Sequence, residues 1–230
     1  MLTAVLLSGG LDSAVLLAEE AARGAVQPIY VAVGLAWERA EQAATRRLLA
    51  SFPPRGSVRP LVSLAVDMTD VYPAAHWAIQ GRPPAYDTPD AEVYLPGRNI
   101  VLLGKAGVYC AAAGVGRLVL GTLDHNPFPD ATPAFRTAMA SALTLGLAHA
   151  LRIEAPYAQV GKAEVIRRGH ALGVPLQMTL SCMNPGNVPS DAAPHCGTCS
   201  KCRERHDAFL EAGIADPTEY VERRFIESRA

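Results

Sequence analysis

Six consecutive residues have the types and order needed to hold phosphate groups. In chain order they are Ser8, Gly9, Gly10, Leu11, Asp12 and Ser13. They follow a short apolar run and open a helix-length segment, so free backbone N–H groups and the positive helix end would face a bound anion. The serine hydroxyls can donate to the same oxygens, and Asp12 suits a Mg²⁺ ligand or a helix cap. This pattern predicts a phosphate-binding loop.

A second group of residues has the composition of a metal site. Four of the five cysteines are clustered: Cys182, Cys196, Cys199 and Cys202. Four thiolates suit a closed tetrahedral Zn²⁺ site, which would staple the chain and leave no open position for a substrate. An iron–sulfur cluster is also held by four cysteines and stays an alternative. His195 adjoins the cysteines and is interpreted as lying behind the ligands or on the surface, and Cys110 as a small buried hydrophobe.

Composition favours a folded enzyme that acts on a small molecule. The 230 residues are 50% apolar and 19% charged, with a net charge of −1, which excludes a disordered chain and a general basic field. Nucleic-acid binding is therefore not expected without a local basic patch. The first residues show no basic leader and no apolar stretch reaches membrane-span length, so we expect a cytoplasmic protein without membrane contact.

Short apolar runs alternate with helix-length segments along the chain. The predicted strands are 3–8, 28–33, 61–66, 117–122 and 152–156. The predicted helices are 11–23, 38–50, 99–113, 133–149 and 162–172. This alternation predicts an α/β fold with a doubly wound sheet of buried parallel strands, in which ligands bind beyond the carboxyl ends of the strands.

Two segments interrupt the alternation, and a tail follows the cysteines. Residues 83–96 and 181–194 are rich in proline and small residues and are predicted to form loops over the site. Helical spacing over 203–212 and 217–225 predicts a short helical tail. We therefore expect a main domain over 1–180 and a small Cys₄ metal element with C-terminal helices over 181–230.

The N-terminal loop resembles that of the ATP-pyrophosphatase family, which has the form Ser-Gly-Gly-x-Asp-Ser. It differs from the Walker loop, which ends in Gly-Lys-Ser/Thr. The resemblance implies that ATP is the ligand, with Mg²⁺, and that the reaction is adenylation with release of pyrophosphate.

The loop and the Cys-x₁₃-Cys-x₂-Cys-x₂-Cys cluster together resemble the 7-cyano-7-deazaguanine synthase family of queuosine biosynthesis. Matching stretches also occur at 95–99, at Gly121 with Asp124, at 161–164 and at 179–182. The resemblance implies conversion of 7-carboxy-7-deazaguanine and ammonia to a nitrile, through an acyl-adenylate and an amide, with two ATP consumed. It also implies a homodimer.

This resemblance points to individual site residues. It implies catalytic roles for Lys162 and Arg98, because the charge that develops during adenylation needs cationic stabilisation, and a catalytic role for Asp12. It implies nucleotide binding by residues 8–13 together with Asn99 and Gly121. Asn99 could equally be the N-cap of its helix, and the two cations could be solvated surface charges.

Several alternatives stay open at this point. The loops 34–39 and 124–132 depart from the family pattern, so a paralogue that adenylates another carboxylate is possible, as is a tRNA-thiolating ATP pyrophosphatase. A Cys₄ binding ribbon on an inactive domain is a third hypothesis. Trp37 either stacks on a purine-like ring or packs in the core. Asp124, His125 and Asp130 either bind substrate or Mg²⁺ or cap a helix.

Overall fold

A five-stranded parallel sheet forms the centre of the protein. The computed structural model describes residues 2–52, 57–185 and 195–223. The strands are β1 (Thr3–Leu6), β2 (Val26–Ala32), β3 (Val62–Ala65), β4 (Arg117–Val119) and β5 (Arg152–Glu154). Their order is β3-β2-β1-β4-β5, and every neighbouring pair is parallel. The predicted doubly wound sheet is confirmed, and all five predicted strands form.

The helices connect these strands and cover both faces of the sheet. They are α1 (Leu11–Arg23), α2 (Glu38–Ser51), α3 (Trp77–Gln80), α4 (Arg98–Ala112), α5 (Pro133–Leu147), α6 (Lys162–Ala171) and α7 (Ser200–Ala212). The five helices predicted between strands end within two residues of the expected positions. The one-turn helix α3 was not predicted, and α7 begins three residues earlier than expected.

The edge strand β3 departs from the prediction that every strand is buried. Its residues alternate between half-buried and exposed, whereas nearly all of β1 and β2 is buried. Among the described strands, only β2 pairs with β3. Its run of apolar residues therefore marks a strand but not a central position in the sheet.

Two apolar cores lie on opposite faces of the sheet. One contains residues of α1 and α6 and also Ala208 and Phe209 of α7. The other packs α4 and α5 against β2, β4 and β5. The division into 1–180 and 181–230 stays a prediction, and α7 shares the core of the larger part.

The chain beyond α7 is not helical where it is described. Residues 217–223 contain no helix, so the predicted helix over 217–225 is wrong for that part, and 224–225 lie outside the described residues. The backbone of His195 instead pairs with the tail, because its N–H donates to Glu219 O and its carbonyl accepts from Val221 N, both at 2.9 Å. The tail therefore lies beside the cysteine motif.

The two predicted loops differ in how far they can be followed. Residues 83–96 contain a short 3₁₀ turn at Asp90–Val93 and otherwise lack regular structure. In the segment 181–194, residues 186–194 lie outside the described part. Within the described ranges, no helix combines the length and the apolar character that crossing a bilayer requires.

Candidate active site and metal centre

The loop between β1 and α1 has the backbone geometry of an anion-binding turn. Gly9 adopts a φ of +76°, and a Cβ there would lie 2.7 Å from the hydroxyl of Thr45, so a side chain at this position is excluded. Gly10 caps α1 without any side-chain hydrogen bond. No side-chain cap therefore occupies the amino end of α1, and it is available to an anion.

The two serines of this loop face each other. Their hydroxyl oxygens are 3.3 Å apart, Ser13 Oγ donates to Gly10 O at 3.0 Å, and Gly10 N donates to Ser8 Oγ at 3.3 Å. On the far side, a Cβ at Gly121 would lie 3.3 Å from the carbonyl carbon of Asp12. The segment after β4 therefore packs closely against the loop, which sets the position of Gly121.

A cleft with two lobes opens above the loop, at the carboxyl ends of β1 and β4. The lobes have volumes of about 300 and 310 Å³ and share Ser8, Gly10, Asp12, Glu41 and Arg98. We define the apolar lobe by its further lining residues Ile29, Tyr30, Val31, Tyr94, Leu102 and Leu120. We define the polar lobe by Asp90, Asp124, Lys162, Ser181, Lys201 and Glu204. The cleft lies at the switch point of the sheet, where such folds bind ligands.

Charged side chains alternate in sign along the polar lobe. Lys162 Nζ lies 3.3 Å from Asp12 Oδ2 and 2.6 Å from Glu204 Oε1. Lys201 Nζ lies 2.6 Å from Glu204 Oε2 and 3.3 Å from Asp90 Oδ1. Residues from α1, α6 and α7 therefore meet at one place.

The electrostatic balance keeps Lys162 charged. Burial lowers the pKa of Lys162, but the nearby carboxylates of Asp12 and Glu204 outweigh burial and raise it. Burial also raises the pKa of Asp12, against the opposing effect of Lys162. Asp12 Oδ1 is buried and has no hydrogen-bond partner among the described residues. An unpaired buried carboxylate oxygen of this kind suits a metal ion or a ligand donor.

Arg98 occupies the boundary between the two lobes. It is the first residue of α4, and its Nε is buried without a hydrogen-bond partner in the described part of the chain. Glu41 lies on the same boundary and accepts a hydrogen bond from Tyr30 Oη at 3.0 Å. Burial raises the pKa of Glu41, and Arg98 partly offsets this. The guanidinium is thus held at the cleft with donor capacity left for a ligand.

Asn99 is tied to the loop that precedes α5. Its backbone N–H donates to Asp130 Oδ2 at 3.1 Å, and its side-chain amide donates to Asp130 O and Oδ1. The N-cap of α4 is Gly97, so the N-cap interpretation of Asn99 is wrong. Asp130 is 5% exposed, and its carboxylate accepts a backbone N–H from the first turn of α4. Of its two predicted roles, Asp130 therefore has the capping role. Asn99 still lines the apolar lobe.

The four cysteine sulfurs converge on one point. All lie within 4.8 Å of one another. Their spacing is 4.0 Å for Cys182–Cys199, 3.8 Å for Cys196–Cys202 and 3.5 Å for Cys199–Cys202. A zinc–sulfur distance of about 2.3 Å gives a tetrahedron with edges of about 3.8 Å. The donor set therefore fits a single tetrahedral metal ion.

Backbone groups surround these sulfurs. The N–H groups of Asn184 and Cys196 donate to Cys182 Sγ at 3.2 and 3.3 Å. Such donors stabilise thiolates over thiols, as a metal site requires. His195 is 4% exposed, and its Nε2 accepts the backbone N–H of Ser181 at 3.0 Å, so it lies behind the ligands and the surface alternative is wrong.

Three residues of α7 belong to the site but do not stand out in the sequence. Lys201 and Glu204 lie in the polar lobe, and the 0% exposed Arg205 lies beneath it. The Arg205 guanidinium donates to Thr179 Oγ1 at 2.8 Å, Ser181 Oγ at 3.2 Å, Thr218 Oγ1 at 2.6 Å and Leu176 O at 2.8 Å. The three-residue spacing of Lys201 and Glu204 on a helix was the available signal, since such residues share a face.

Packing accounts for Trp37, and the roles of Asp124 and His125 stay predictions. Trp37 is 5% exposed and stacks on Trp77 with a centroid distance of 5.6 Å, so packing is its role in this structure. Asp124 accepts the backbone N–H of His125 at 2.8 Å, and the His125 side chain is 94% exposed. These two residues lie at the rim of the polar lobe.

Known proteins are similar to this chain over almost its whole length. Residues 3–213 match the family described as "Queuosine biosynthesis protein QueC". A "7-cyano-7-deazaguanine synthase" from Anaeromyxobacter dehalogenans (strain 2CP-C) is 35% identical, with 94% of each chain covered. One from Thiobacillus denitrificans (strain ATCC 25259 / T1) is 37% identical, covering 94% of this chain and 97% of the relative.

Solved structures with a looser likeness include the "U34-tRNA thiolase NcsA from Methanococcus maripaludis with its [4Fe-4S] cluster". It is 14% identical, with a TM-score of 0.46, and covers 94% of this chain and 74% of the thiolase. The agreement of the family match with two close relatives over almost the whole chain settles the relationship. The chain belongs to the QueC family of queuosine biosynthesis proteins.

Proposed function

We propose that this protein uses ATP to convert 7-carboxy-7-deazaguanine and ammonia to 7-cyano-7-deazaguanine. The observation that carries the proposal is the contact of Lys162 with Asp12 of the phosphate loop, in a cleft that also contains Arg98, in a member of the QueC family. A carboxylate is a poor electrophile, and adenylation gives it a leaving group.

The two lobes suit the two parts of ATP. The apolar lobe offers aliphatic and aromatic walls for the adenine base, and residues 8–13 lie below it for the phosphates. Gly9 and Gly10 let the backbone approach the phosphates, and Leu11 brings its N–H at the start of α1. Mg²⁺ would be held by the phosphates and by Asp12, whose Oδ1 is unpaired within the described residues. Asn99 and Gly121 shape the floor of the site.

The chain's own residues account for the charges that develop. In the first half-reaction the substrate carboxylate attacks the α-phosphorus and pyrophosphate leaves, while Lys162 and Arg98 stabilise the added negative charge. Ammonia then displaces AMP to give the amide. In the second half-reaction the amide oxygen attacks a second ATP, pyrophosphate leaves, and loss of AMP with two protons gives the nitrile. The polar lobe is the place where the carboxylate or amide would meet the phosphates.

The metal proposed for the cysteine site is Zn²⁺. Sulfurs that all lie within 4.8 Å of one another, with three pairs at 3.5–4.0 Å, fit ligands of one shared ion, whereas each thiolate of a four-iron cluster binds its own iron and the sulfurs must spread further. Four protein ligands leave no open position, so the ion would fix the start of α7 rather than bind substrate.

We further propose that the protein is a homodimer formed through α4 and α5. The charged residue of α5 is Arg136, which is buried, so the outer face of this helix carries no charge. Leu145 is 83% exposed there, and Ile100 and Val108 of α4 are about half exposed. An uncharged surface of this kind favours a protein contact. Leu145→Glu is expected to shift the sedimentation coefficient to that of a monomer.

The test of function measures AMP, pyrophosphate and product mass with Mg-ATP, 7-carboxy-7-deazaguanine and ammonium. The proposal expects a nitrile and two AMP per product. AMP release only with a different carboxylate would assign the chain to a paralogous reaction, which the altered loops 34–39 and 124–132 leave as the alternative. Absence of AMP release with every carboxylate offered would contradict the adenylation chemistry itself.

A further inference from the structure

Lysine is rare in this chain, and its distribution is uneven. There are three lysines, Lys105, Lys162 and Lys201. Lys162 and Lys201 both line the polar lobe, whereas Lys105 is exposed on α4 and lines neither lobe. Both cleft lysines are mainly buried, with side-chain exposures of 13% and 27%. Burying a lysine is unfavourable unless its charge is matched, so the second cleft lysine needs an explanation.

The two ammonium groups share one carboxylate. Glu204 holds Lys162 through Oε1 and Lys201 through Oε2, each at 2.6 Å. The two ammonium groups are therefore close enough for one anion to contact both. Lys162 also reaches Asp12 of the phosphate loop at 3.3 Å. The pair thus extends from the phosphate loop along the floor of the polar lobe.

We propose that Lys201 is a second phosphate-binding cation, which together with Lys162 holds the departing pyrophosphate of ATP. This inference rests on the proposed function and adds to it a binding residue supplied by α7. Lys162 lies nearest the loop and would contact the phosphate next to the bond that breaks. Lys201 would contact the terminal phosphate. Without the anion, Glu204 forms ion pairs with both lysines.

Pyrophosphate matches this pair better than the substrate carboxylate does. Two neighbouring cations suit an anion with two adjacent charged groups. A single carboxylate needs only one cation, which can be one lysine or Arg98. Asp90 and Glu204 already balance the charge of Lys201. A small single-charged acid would therefore gain little from displacing them, and a polyanion would gain more.

The proposal also gives the cysteine site a direct link to the chemistry. Lys201 lies between Cys199 and Cys202 in sequence, and Cys199 is the N-cap of α7. The backbone that carries Lys201 is therefore fixed by two metal ligands. The metal would position a phosphate-binding side chain without itself touching the ligand.

The test is calorimetric titration of the metal-loaded protein with inorganic pyrophosphate in the presence of Mg²⁺. Lys201→Met keeps the aliphatic stem and is expected to weaken binding about tenfold, the usual size for loss of one charge-assisted hydrogen bond. Lys201→Arg is expected to restore most of the affinity. Lys105→Met is the matched control and is expected to bind like the parent. Bound metal and melting temperature show that each variant is folded.

Steady-state kinetics separate this role from the alternatives. We expect Lys201→Met to raise KM for ATP and to leave KM for the carboxylic acid unchanged. Parental pyrophosphate binding by Lys201→Met, or a rise in KM for the acid alone, would overturn the inference while adenylation stands. If the parent neither binds pyrophosphate nor releases it from ATP, the proposed function fails together with the inference.

Discussion

The phosphate loop (residues 8–13) and the α7 side of the cleft (Lys162, Lys201, Glu204 and Arg205) form one site. The loop is held mainly by short-range contacts, and the α7 side by long-range contacts. The hydrogen bonds that the hydroxyls of Ser8 and Ser13 make join residues no more than five positions apart, and one backbone bond, from Leu180 N to Gly9 O, connects the loop to a distant segment. On the α7 side, Lys162 and Glu204 are 42 positions apart, and Arg205 and Thr179 are 26 apart. A local motif holds its shape through its own sequence, whereas the α7 side depends on the packing of α6 against α7 and on the cysteine site. The two sides should therefore respond differently to the same kinds of change.

The largest expected effect follows from removing the metal site. Cys199→Ser leaves three thiolates and removes the metal ligand at the N-cap position of α7. Structural zinc contributes about 10–16 kcal/mol in small peptides. Because Ala208 and Phe209 also hold α7 in the core, we expect a smaller loss, of about 5 kcal/mol and about 10–20 °C in melting temperature.

Calorimetric unfolding and metal analysis measure this effect. Cys110→Ser, in the core between α4 and the sheet, is the control outside the cluster, and it is expected to keep its metal. A Cys199→Ser protein with parental melting temperature and no bound metal would show that α7 does not need the ion.

The next largest effect is expected at Lys162. Lys162→Met removes the cation that contacts Asp12 and Glu204 and should lower kcat for pyrophosphate release by about 10²–10³, as loss of one preorganised charge does. Stability should change little in comparison, since the phosphate loop keeps its own hydrogen bonds. Lys105→Met serves as the control, and near-parental kcat in Lys162→Met would remove Lys162 from the chemistry.

The contrast between the two sides also explains what the sequence could predict. Residues 8–13 and the four cysteines are recognisable because each set lies close together in sequence and has few alternative uses. The strands and the helices between them follow from apolar periodicity. Lys201, Glu204 and Arg205 were missed because their importance depends on which way α7 faces, and that is decided by contacts with α6 and with residues 176–181.

The tail and β3 also show that local sequence patterns do not predict long-range contacts. Helical spacing over 217–225 was outweighed by backbone pairing of the tail with His195. The apolar run of β3 could not reveal that the strand lies at the edge, because sheet order is a property of the whole chain. Local patterns predicted the elements, and long-range contacts determined their surroundings.

A third, smaller effect is expected at Arg205. Arg205→Met leaves the hydroxyls of Thr179 and Thr218 without their donor and removes one of the donors to the carbonyl of Leu176, at a cost of about 2–3 kcal/mol in the free energy of unfolding. Leu180 N donates to Gly9 O at 2.9 Å, so loosening this segment should also raise KM for ATP more than it lowers kcat.

Denaturant unfolding and a KM–kcat comparison test Arg205 as a positioning residue. Arg205→Lys should recover part of both properties. Arg203→Met, two residues earlier on α7, is the matched control, since Arg203 donates to Thr88 O at 3.2 Å and lies 3.9 Å from Asp87 Oδ1, away from the residues that Arg205 contacts. A stability loss without any change in KM for ATP would mean that Arg205 serves the fold alone.

The smallest expected effect is a pH-dependent gain in stability at Glu41, on the side of the cleft near the phosphate loop. Burial raises the pKa of this carboxyl in the folded protein, so the ionised form is disfavoured by folding. Above the raised pKa the charge lowers stability; as the pH falls through that pKa the carboxyl protonates and the cost disappears. Glu41→Gln should therefore stabilise the protein by up to about 1 kcal/mol at neutral pH, and the gain should vanish at acidic pH. Denaturant unfolding across this pH range measures the change in stability.

Glu38→Gln on the same helix is the control and should lower stability, because both Glu38 oxygens accept backbone N–H groups, from Val33 at 2.6 Å and Gly34 at 3.0 Å. Equal signs for the two variants would contradict the interpretation that burial in the cleft makes the Glu41 charge unfavourable for stability.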